Sequence, residues 1–142
     1  MQSARELLKS KKMKATPQRI AILELLMNTK AHPTAYEIYR SFDDTKSDVS
    51  IATIYKTLDA FKKSGLILEL SFGEEKFRYD ADTSTHVHLL CSKCGAVDDA
   101  STDKISTSID VLSQTVAETS GFNISNTQIC FHGICKKCSS WL

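Results

Sequence analysis

Two Cys-x-x-Cys pairs constrain this chain more than any other feature of its sequence. Cys91 and Cys94 form the first pair, Cys135 and Cys138 form the second, and 40 residues lie between the pairs. A Cys-x-x-Cys turn presents two sulfurs to one ion, and structural Zn²⁺ takes four thiolates tetrahedrally. The pairs therefore predict one structural zinc site, which fixes residues 135–142 against the strands around the first pair.

A thiol–disulfide exchange site is the alternative for these cysteines, since such sites also use Cys-x-x-Cys. It requires a thiol of low pKa at a helix N-terminus. Neither Cys91 nor Cys135 is predicted to lie at a helix start, which favours zinc. The fifth cysteine, Cys130, is predicted to be a small buried strand residue, because free cysteine packs as a hydrophobe; a reactive thiol is the other interpretation.

The chain is expected to be cytoplasmic. No apolar run approaches the length that spans a membrane, and no signal-peptide core follows the basic N-terminus. No membrane partner is predicted. Five cysteines in that compartment indicate metal ligands or redox chemistry rather than a disulfide framework.

Helix start and stop signals recur along the N-terminal part of the chain. Thr16 and Pro17 fit the N-cap and the first position of a helix. Thr34 and Ser50 begin two further helices, and Gly65 ends the second of these. The apolar face of the last helix carries Ile51, Ile54, Leu58 and Phe61.

Two strands are predicted after these helices, at 66–70 and 76–79, with a turn at Gly73. Three helices followed by a β-hairpin are the pattern of a winged helix-turn-helix. We therefore predict a winged-helix DNA-binding domain at residues 1–80.

A hinge at 81–85 is predicted to precede a second domain at 86–142. Short strands at 87–90 and 96–100 flank the first cysteine pair, and residues 122–131 have the pattern of a further strand. An amphipathic helix between them carries Ile105, Ile109, Leu112 and Val116 on its apolar face. The predicted fold class is α+β, with a winged helix-turn-helix domain followed by a small α/β domain that holds structural zinc.

The net charge of +1 conceals an asymmetry between the two halves of the chain. Residues 1–78 hold 14 Lys and Arg against 10 Asp and Glu, a balance of +4. Residues 79–142 hold 4 against 7, a balance of −3. This distribution suits a nucleic-acid-binding domain joined to a different module, although charge runs are also usual on solvated faces.

The helix that begins after Ser50 is a candidate DNA-reading element. It turns Ala52, Thr53 and Lys56 away from its apolar face, with Tyr55 on the flank. Small residues permit close approach to a groove, and a lysine reaches phosphate or guanine. An ordinary surface helix remains the alternative on periodicity alone.

His86 and His88 form a His-x-His pair in a predicted strand. Side chains alternate along a strand, so both imidazoles lie on one side and Val87 faces the other. This geometry suits two ligands to one ion, although core or surface histidines are an equally good interpretation of the pair alone.

Several motifs in order resemble the ferric uptake regulator family over residues 3–138. They are Thr16-Pro17-Gln18-Arg19, His32-Pro33-Thr34-Ala35, Ser50-Ile51-Ala52-Thr53-Ile54-Tyr55-Lys56-Thr57-Leu58, His86-Val87-His88-Leu89-Leu90-Cys91-Ser92-Lys93-Cys94-Gly95 and Gly133-Ile134-Cys135-Lys136-Lys137-Cys138. The resemblance implies a metal-dependent repressor and not an enzyme, a homodimer formed through the C-terminal domain, and binding to double-stranded DNA at an A/T-rich inverted repeat. It also implies that Thr53 and Tyr55 meet bases, while Lys14 and Arg19 approach the backbone or minor groove.

The resemblance further implies a second, regulatory metal. Positions that match His32, Asp80, His86, His88 and Asp99 carry it in the peroxide-responsive members of the family, and His32 and His86 match the ligands that peroxide oxidises. Nitrogen and carboxylate ligands in this number suit Fe²⁺ or Mn²⁺.

Other interpretations stay open. Iron-uptake members typically have Glu where Asp80 stands, and Thr85, Val87 and Thr127 replace histidines of a further metal site. A repressor of iron, manganese or zinc uptake that responds to its metal is nevertheless an alternative within the family, since the ligand sets overlap. A thiol–disulfide oxidoreductase and a zinc-bearing protein-interaction module are alternatives from other classes.

Overall fold

The structure is a computed structural model that describes residues 1–43, 48–72 and 76–140. The predicted turn at Gly73 lies outside the described residues. The chain forms two compact units, Met1–Thr83 and Ser84–Leu142. Within the described ranges, no helix combines the length and the apolar character needed to cross a lipid bilayer.

The described residues of the first unit form four helices and a two-stranded antiparallel sheet. Its elements are α1 (Ala4–Ser10), α2 (Pro17–Met27), α3 (Ala35–Asp43), α4 (Ile51–Ser64), β1 (Leu68–Leu70) and β2 (Arg78–Asp80). Leu68 pairs with Asp80 and Leu70 with Arg78. This order of helices and paired strands confirms the predicted winged helix-turn-helix, with strands shorter than the sequence pattern indicates.

Side-chain caps begin these helices where the sequence predicts them. The Thr16 hydroxyl accepts a hydrogen bond from the Arg19 amide at the start of α2, and Ser50 does the same for Thr53 at α4. Each cap satisfies an amide that has no partner within its own helix. Gly65 ends α4 with φ +78°, a left-handed conformation that costs glycine little.

Apolar side chains from all four helices form the core of the first unit. The large side chains with essentially no exposure include Leu8, Ile22, Leu23, Leu26, Ile38, Ile54, Leu58 and Phe61. Ile51 is predicted to share the apolar face of α4 but is 36% exposed. It occupies the first helical position, where the core no longer covers the helix, and Thr57 is buried beside Ile54 and Leu58 instead.

Residues 84–140 of the second unit form a three-stranded sheet and two helices. Its elements are β3 (Val87–Cys91), β4 (Val97–Ala100), α5 (Asp103–Ser120), β5 (Cys130–Gly133) and α6 (Lys136–Ser139). The sheet order is β4-β3-β5, with β4 antiparallel and β5 parallel to β3. This mixed sheet with helices confirms the predicted α+β class.

Two predictions for the second unit are wrong in detail. The strand expected at 122–131 forms only at Cys130–Gly133, because the polar residues before it do not extend the ladder with β3. Cys135 is the N-cap of α6 and therefore does lie at a helix start, although that helix has four residues and no side-chain cap.

Few apolar side chains are buried in the second unit. Among its described residues they are Val87, Cys91 and Ile109. Leu112 and Val116, predicted on the apolar face of α5, are 51% and 44% exposed. A core this small does not stabilise a domain unaided, and a metal or a partner is the usual remedy.

Candidate metal centres and nucleic-acid interface

Four cysteine sulfurs converge at one end of the second unit. Cys91 ends β3, Cys94 lies in the following turn, and Cys135 and Cys138 lie at the start and within the single turn of α6. The four sulfurs all lie within 4.8 Å of one another. Sulfurs of different pairs are as close as 3.8 Å, the distance from Cys94 to Cys135. Four thiolates around one point fit tetrahedral Zn²⁺.

Hydrogen bonds make the sulfurs unequal in acidity. The Cys135 amide donates to the Cys91 sulfur at 3.3 Å. This contact, with further backbone donors from Cys94 and Lys93, lowers the pKa of Cys91 to about 6. Hydrogen bonding with the Cys135 side chain, followed by desolvation, raises the pKa of Cys138 to about 12.

Cys130 stands apart from this cluster. It is half-buried at the start of β5, and burial raises the pKa of its thiol. A raised pKa lowers the thiolate fraction and hence the reactivity. The packing role predicted for this cysteine therefore fits better than a reactive one, although it is less buried than expected.

A second group of donors contains His88 and Asp99 on the same sheet and His86, which directly precedes β3. The Nε2 atoms of His86 and His88 are 3.0 Å apart. Both face the Asp99 carboxylate, at 3.7 Å from His86 and 3.5 Å from His88. The group follows from register, because His88 on β3 pairs directly with Asp99 on β4. Both histidines are buried, and so is Val87 on the opposite side of the strand.

The orientation of the His86 ring is fixed by its other nitrogen. Nδ1 lies 2.7 Å from the Ser84 carbonyl oxygen, which only accepts, so Nδ1 carries the proton and donates. In the neutral ring the lone pair is then on Nε2, the atom that faces His88 and Asp99. Metal-ligating histidines characteristically have their second nitrogen held in this way.

A third group of donors belongs to the first unit. His32 Nε2 lies 3.3 Å from Asp80 Oδ2, and both side chains are buried. Asp80 ends β2, and its other carboxylate oxygen accepts a hydrogen bond from the Asp82 amide. His32 precedes Pro33 and has φ +51°, a left-handed conformation. An imidazole and a carboxylate suit a divalent first-row metal such as Fe²⁺ or Mn²⁺, as do the donors of the second unit.

Basic, hydroxyl and amide side chains line one surface depression of the first unit. They are Lys14, Thr16, Gln18, Arg19, Thr53, Lys56 and Thr57. The Arg19 guanidinium donates a hydrogen bond to the Lys14 carbonyl, which restrains the Arg19 side chain at the depression. Ala52 and Tyr55 are exposed on the same helix. Three cations beside small and hydroxyl side chains form a surface suited to a phosphate backbone.

Sequence reasoning missed some of these residues. Thr16, Gln18 and Thr57 line the depression. They belong to the motifs that resemble the family, but the sequence did not single them out as DNA-binding residues. Arg78 was also missed: its guanidinium donates to the His32 carbonyl at 3.3 Å, and no local pattern connects residues this far apart in the sequence.

A cationic winged helix and a separate unit with metal-binding side chains are the combination found in metal-responsive regulators of transcription. The profile of the ferric uptake regulator family matches residues 10–132. The chain belongs to this family.

Individual relatives agree with that assignment. The chain is 38% identical over 139 residues to the peroxide operon regulator of Bacillus subtilis strain 168, covering 98% of this chain and 93% of the relative. It resembles the crystal structure of the Campylobacter jejuni peroxide stress regulator at 30% identity and a TM-score of 0.74, covering 93% and 96%. The Vibrio cholerae ferric uptake regulator matches at 28% identity and a TM-score of 0.72, covering 92% and 98%.

Proposed function

We propose that this regulator is a transcriptional repressor that senses peroxide through Fe²⁺ or Mn²⁺ bound by His32, Asp80, His86, His88 and Asp99. The observation that carries the proposal is the convergence of two buried histidines, His86 and His88, on the carboxylate of Asp99. The similarity to regulators named for peroxide supports it, as does Asp rather than Glu at position 80.

One ion bound by all five side chains would take ligands from both units. His32 and Asp80 belong to the first, and His86, His88 and Asp99 to the second. The free energy of metal binding would be gained in full only when the ligands of both units coordinate the ion together. Metal binding would therefore favour the conformation in which both can do so. We propose that this conformation is the one that binds DNA. Loss of one metal ligand would then remove the preference for it and lower the affinity for DNA.

Fe²⁺ held by these residues would supply the electron that activates peroxide; one peroxide oxygen would then pass to a neighbouring imidazole and the other would leave as water. His32 and His86 are the proposed targets. Oxygen added to an imidazole ring changes the donor that the metal requires, so the modified protein releases the operator. The four-cysteine cluster would hold structural Zn²⁺ and take no part in sensing while it is reduced and metal-bound.

The proposed partners are double-stranded DNA and a second copy of the chain. The depression that contains Lys14, Arg19 and Lys56 would lie against an A/T-rich inverted repeat, with Thr53 and Tyr55 towards bases and Ala52 allowing close approach. A two-fold repeat matches a two-fold dimer. The exposed apolar residues of α5 would form the dimer contact.

Mass spectrometry of the Fe²⁺-loaded protein after peroxide tests the proposal. We expect 16 Da additions, one oxygen atom, on peptides that contain His32 or His86, together with loss of operator binding. His132 is exposed and belongs to neither donor group, so its peptide is the internal control. Protein loaded with Zn²⁺, which has no redox chemistry, should show no addition.

Absence of oxygen on both histidines, with operator binding still dependent on Fe²⁺ or Mn²⁺, would favour the alternative of an uptake repressor. Operator affinity measured with Fe²⁺, Mn²⁺ and Zn²⁺ in turn then identifies which ion is the co-repressor.

A further inference from the structure

The Arg78 guanidinium contacts the backbone of the turn that contains His32. We propose that Arg78 is a positioning residue for the His32–Asp80 donor pair, acting through the backbone of the His32 turn rather than on the metal itself. This inference rests on the proposed function, in which both members of the pair bind the regulatory ion.

The His32 backbone has a conformation that its sequence disfavours. A left-handed φ is uncommon for a residue with a side chain, and His32 has φ +51°. Residues before proline are in addition pushed towards extended backbone, and Pro33 follows. Such a conformation persists only when the surrounding structure holds it.

Strand β2 supplies the contacts that hold this turn. The Arg78 guanidinium donates to the His32 carbonyl at 3.3 Å, and Arg78 forms an antiparallel bridge with Thr34. The next residue, Tyr79, donates its amide to the Pro33 carbonyl at 3.0 Å. Three consecutive residues, 32–34, are thus fixed against one edge of β2.

The same strand carries the other member of the pair. Arg78 and Asp80 are two residues apart, so their side chains leave β2 on the same face. With the turn held by Arg78, His32 Nε2 lies 3.3 Å from Asp80 Oδ2. Both residues belong to the first unit, whose hydrophobic core is formed by residues of that unit. The donor pair is preorganised, which lowers the cost of ordering ligands when a metal binds.

Arg78 could affect a metal in two opposite ways, and the experiment separates them. A cation near the site repels a divalent ion, so its removal would tighten metal binding. A positioning residue has the reverse effect, because its removal frees the turn. Arg78→Met keeps the aliphatic stem and removes charge and donors, whereas Arg78→Lys keeps the charge and a donor. Arg5→Met, at an exposed position on α1, is the matched control.

Mn²⁺ affinity is measured by titration on the full zinc-loaded chain. We expect Arg78→Met to weaken it about 10- to 100-fold, the usual effect of removing a residue that orients a ligand. Arg78→Lys should recover part of the affinity, and Arg5→Met should match wild type. Affinity in Arg78→Met that equals or exceeds that of wild type would overturn the proposal.

A second readout needs no regulatory metal. Amide hydrogen exchange of Tyr79 reports its bond to Pro33, and in Arg78→Met it should be roughly tenfold faster before Mn²⁺ is added. Unchanged exchange overturns the role of Arg78 in holding the turn. If wild type binds no Mn²⁺ at all, the proposed function fails, and Tyr79 exchange alone decides whether Arg78 holds the turn.

Discussion

His88 and Asp99 face each other directly across β3 and β4, with 3.5 Å between the imidazole Nε2 and a carboxylate oxygen. Three residues further along β3 is Cys91, the first sulfur of the cysteine cluster. A metal bound by the cysteines would therefore stiffen the strand that aims His88. The two centres are separate in chemistry and joined by one short strand.

Asp99→Asn tests the regulatory site most directly. The amide keeps the size of the side chain but removes the negative charge, so we expect Mn²⁺ affinity to fall at least about tenfold. Zinc content should not change. Asp98→Asn is the matched control, since Asp98 is the exposed neighbour on the same strand. Titration with Mn²⁺ and elemental analysis give both values, and equal Mn²⁺ affinity in the two variants would contradict the assignment.

Cys138→Ser should remove the zinc and unfold the second unit. Binding of structural zinc contributes about 10 kcal/mol or more, comparable with the whole stability of a small domain. Amide dispersion in NMR spectra should collapse for residues 84–140 and persist for the first unit, whose buried core lies within its own residues. Cys130→Ser should retain both zinc and dispersion. A folded, zinc-free Cys138→Ser protein would exclude a structural metal.

Lys56→Ala should reduce the salt dependence of operator binding. Each phosphate that the protein no longer neutralises lowers the slope of log K against log salt by about 0.9, or roughly 1.8 for a dimer. Lys63→Ala removes a charge from the same helix outside the depression, where Lys63 pairs with Asp59 at 2.8 Å. Its slope should equal that of wild type, and a similar slope for Lys56→Ala would remove Lys56 from the DNA interface.

Leu112→Glu should weaken self-association by roughly 100-fold or more. Burial of a leucine contributes about 1.5–3 kcal/mol, and a two-fold interface contains the residue twice. Asp110→Lys changes charge two residues away, on the opposite side of α5, and should leave association intact. Analytical ultracentrifugation compares them. Equal dissociation constants for Leu112→Glu and wild type would place the dimer contact elsewhere.

Local chemistry in the sequence predicts the helix boundaries of the first unit well. Thr16, Ser50 and Gly65 act within one turn of their own positions, so no tertiary information is needed to place them. The strand at 122–131 fails for the opposite reason. Its length depends on how far β3 accepts a parallel neighbour, and only Cys130–Gly133 find partners there.

The cysteine cluster and the histidine groups differ in the same way. Spacing alone pairs Cys91 with Cys94 and predicts a four-sulfur site, because the geometry is contained in the turns. The contact of His88 with Asp99 depends on the register of β3 and β4, and no local sequence pattern predicts that register. Only the resemblance to a family placed these two residues in one site. Arg78 reaches His32 from another element, and no periodicity or motif indicates such a bond.

The parallel pairing of β3 with β5 affects how quickly the second unit of a newly made chain folds. Pairing β3 with β4 closes only residues 92–96, whereas pairing it with β5 closes everything from 92 to 129, and such distant contacts form slowly. A zinc ion bound first by Cys91 and Cys94 would complete its coordination only when the second pair of cysteines binds. That step would bring β5 beside β3. Zinc supply during synthesis would then set the rate of maturation, before any regulatory metal is sensed.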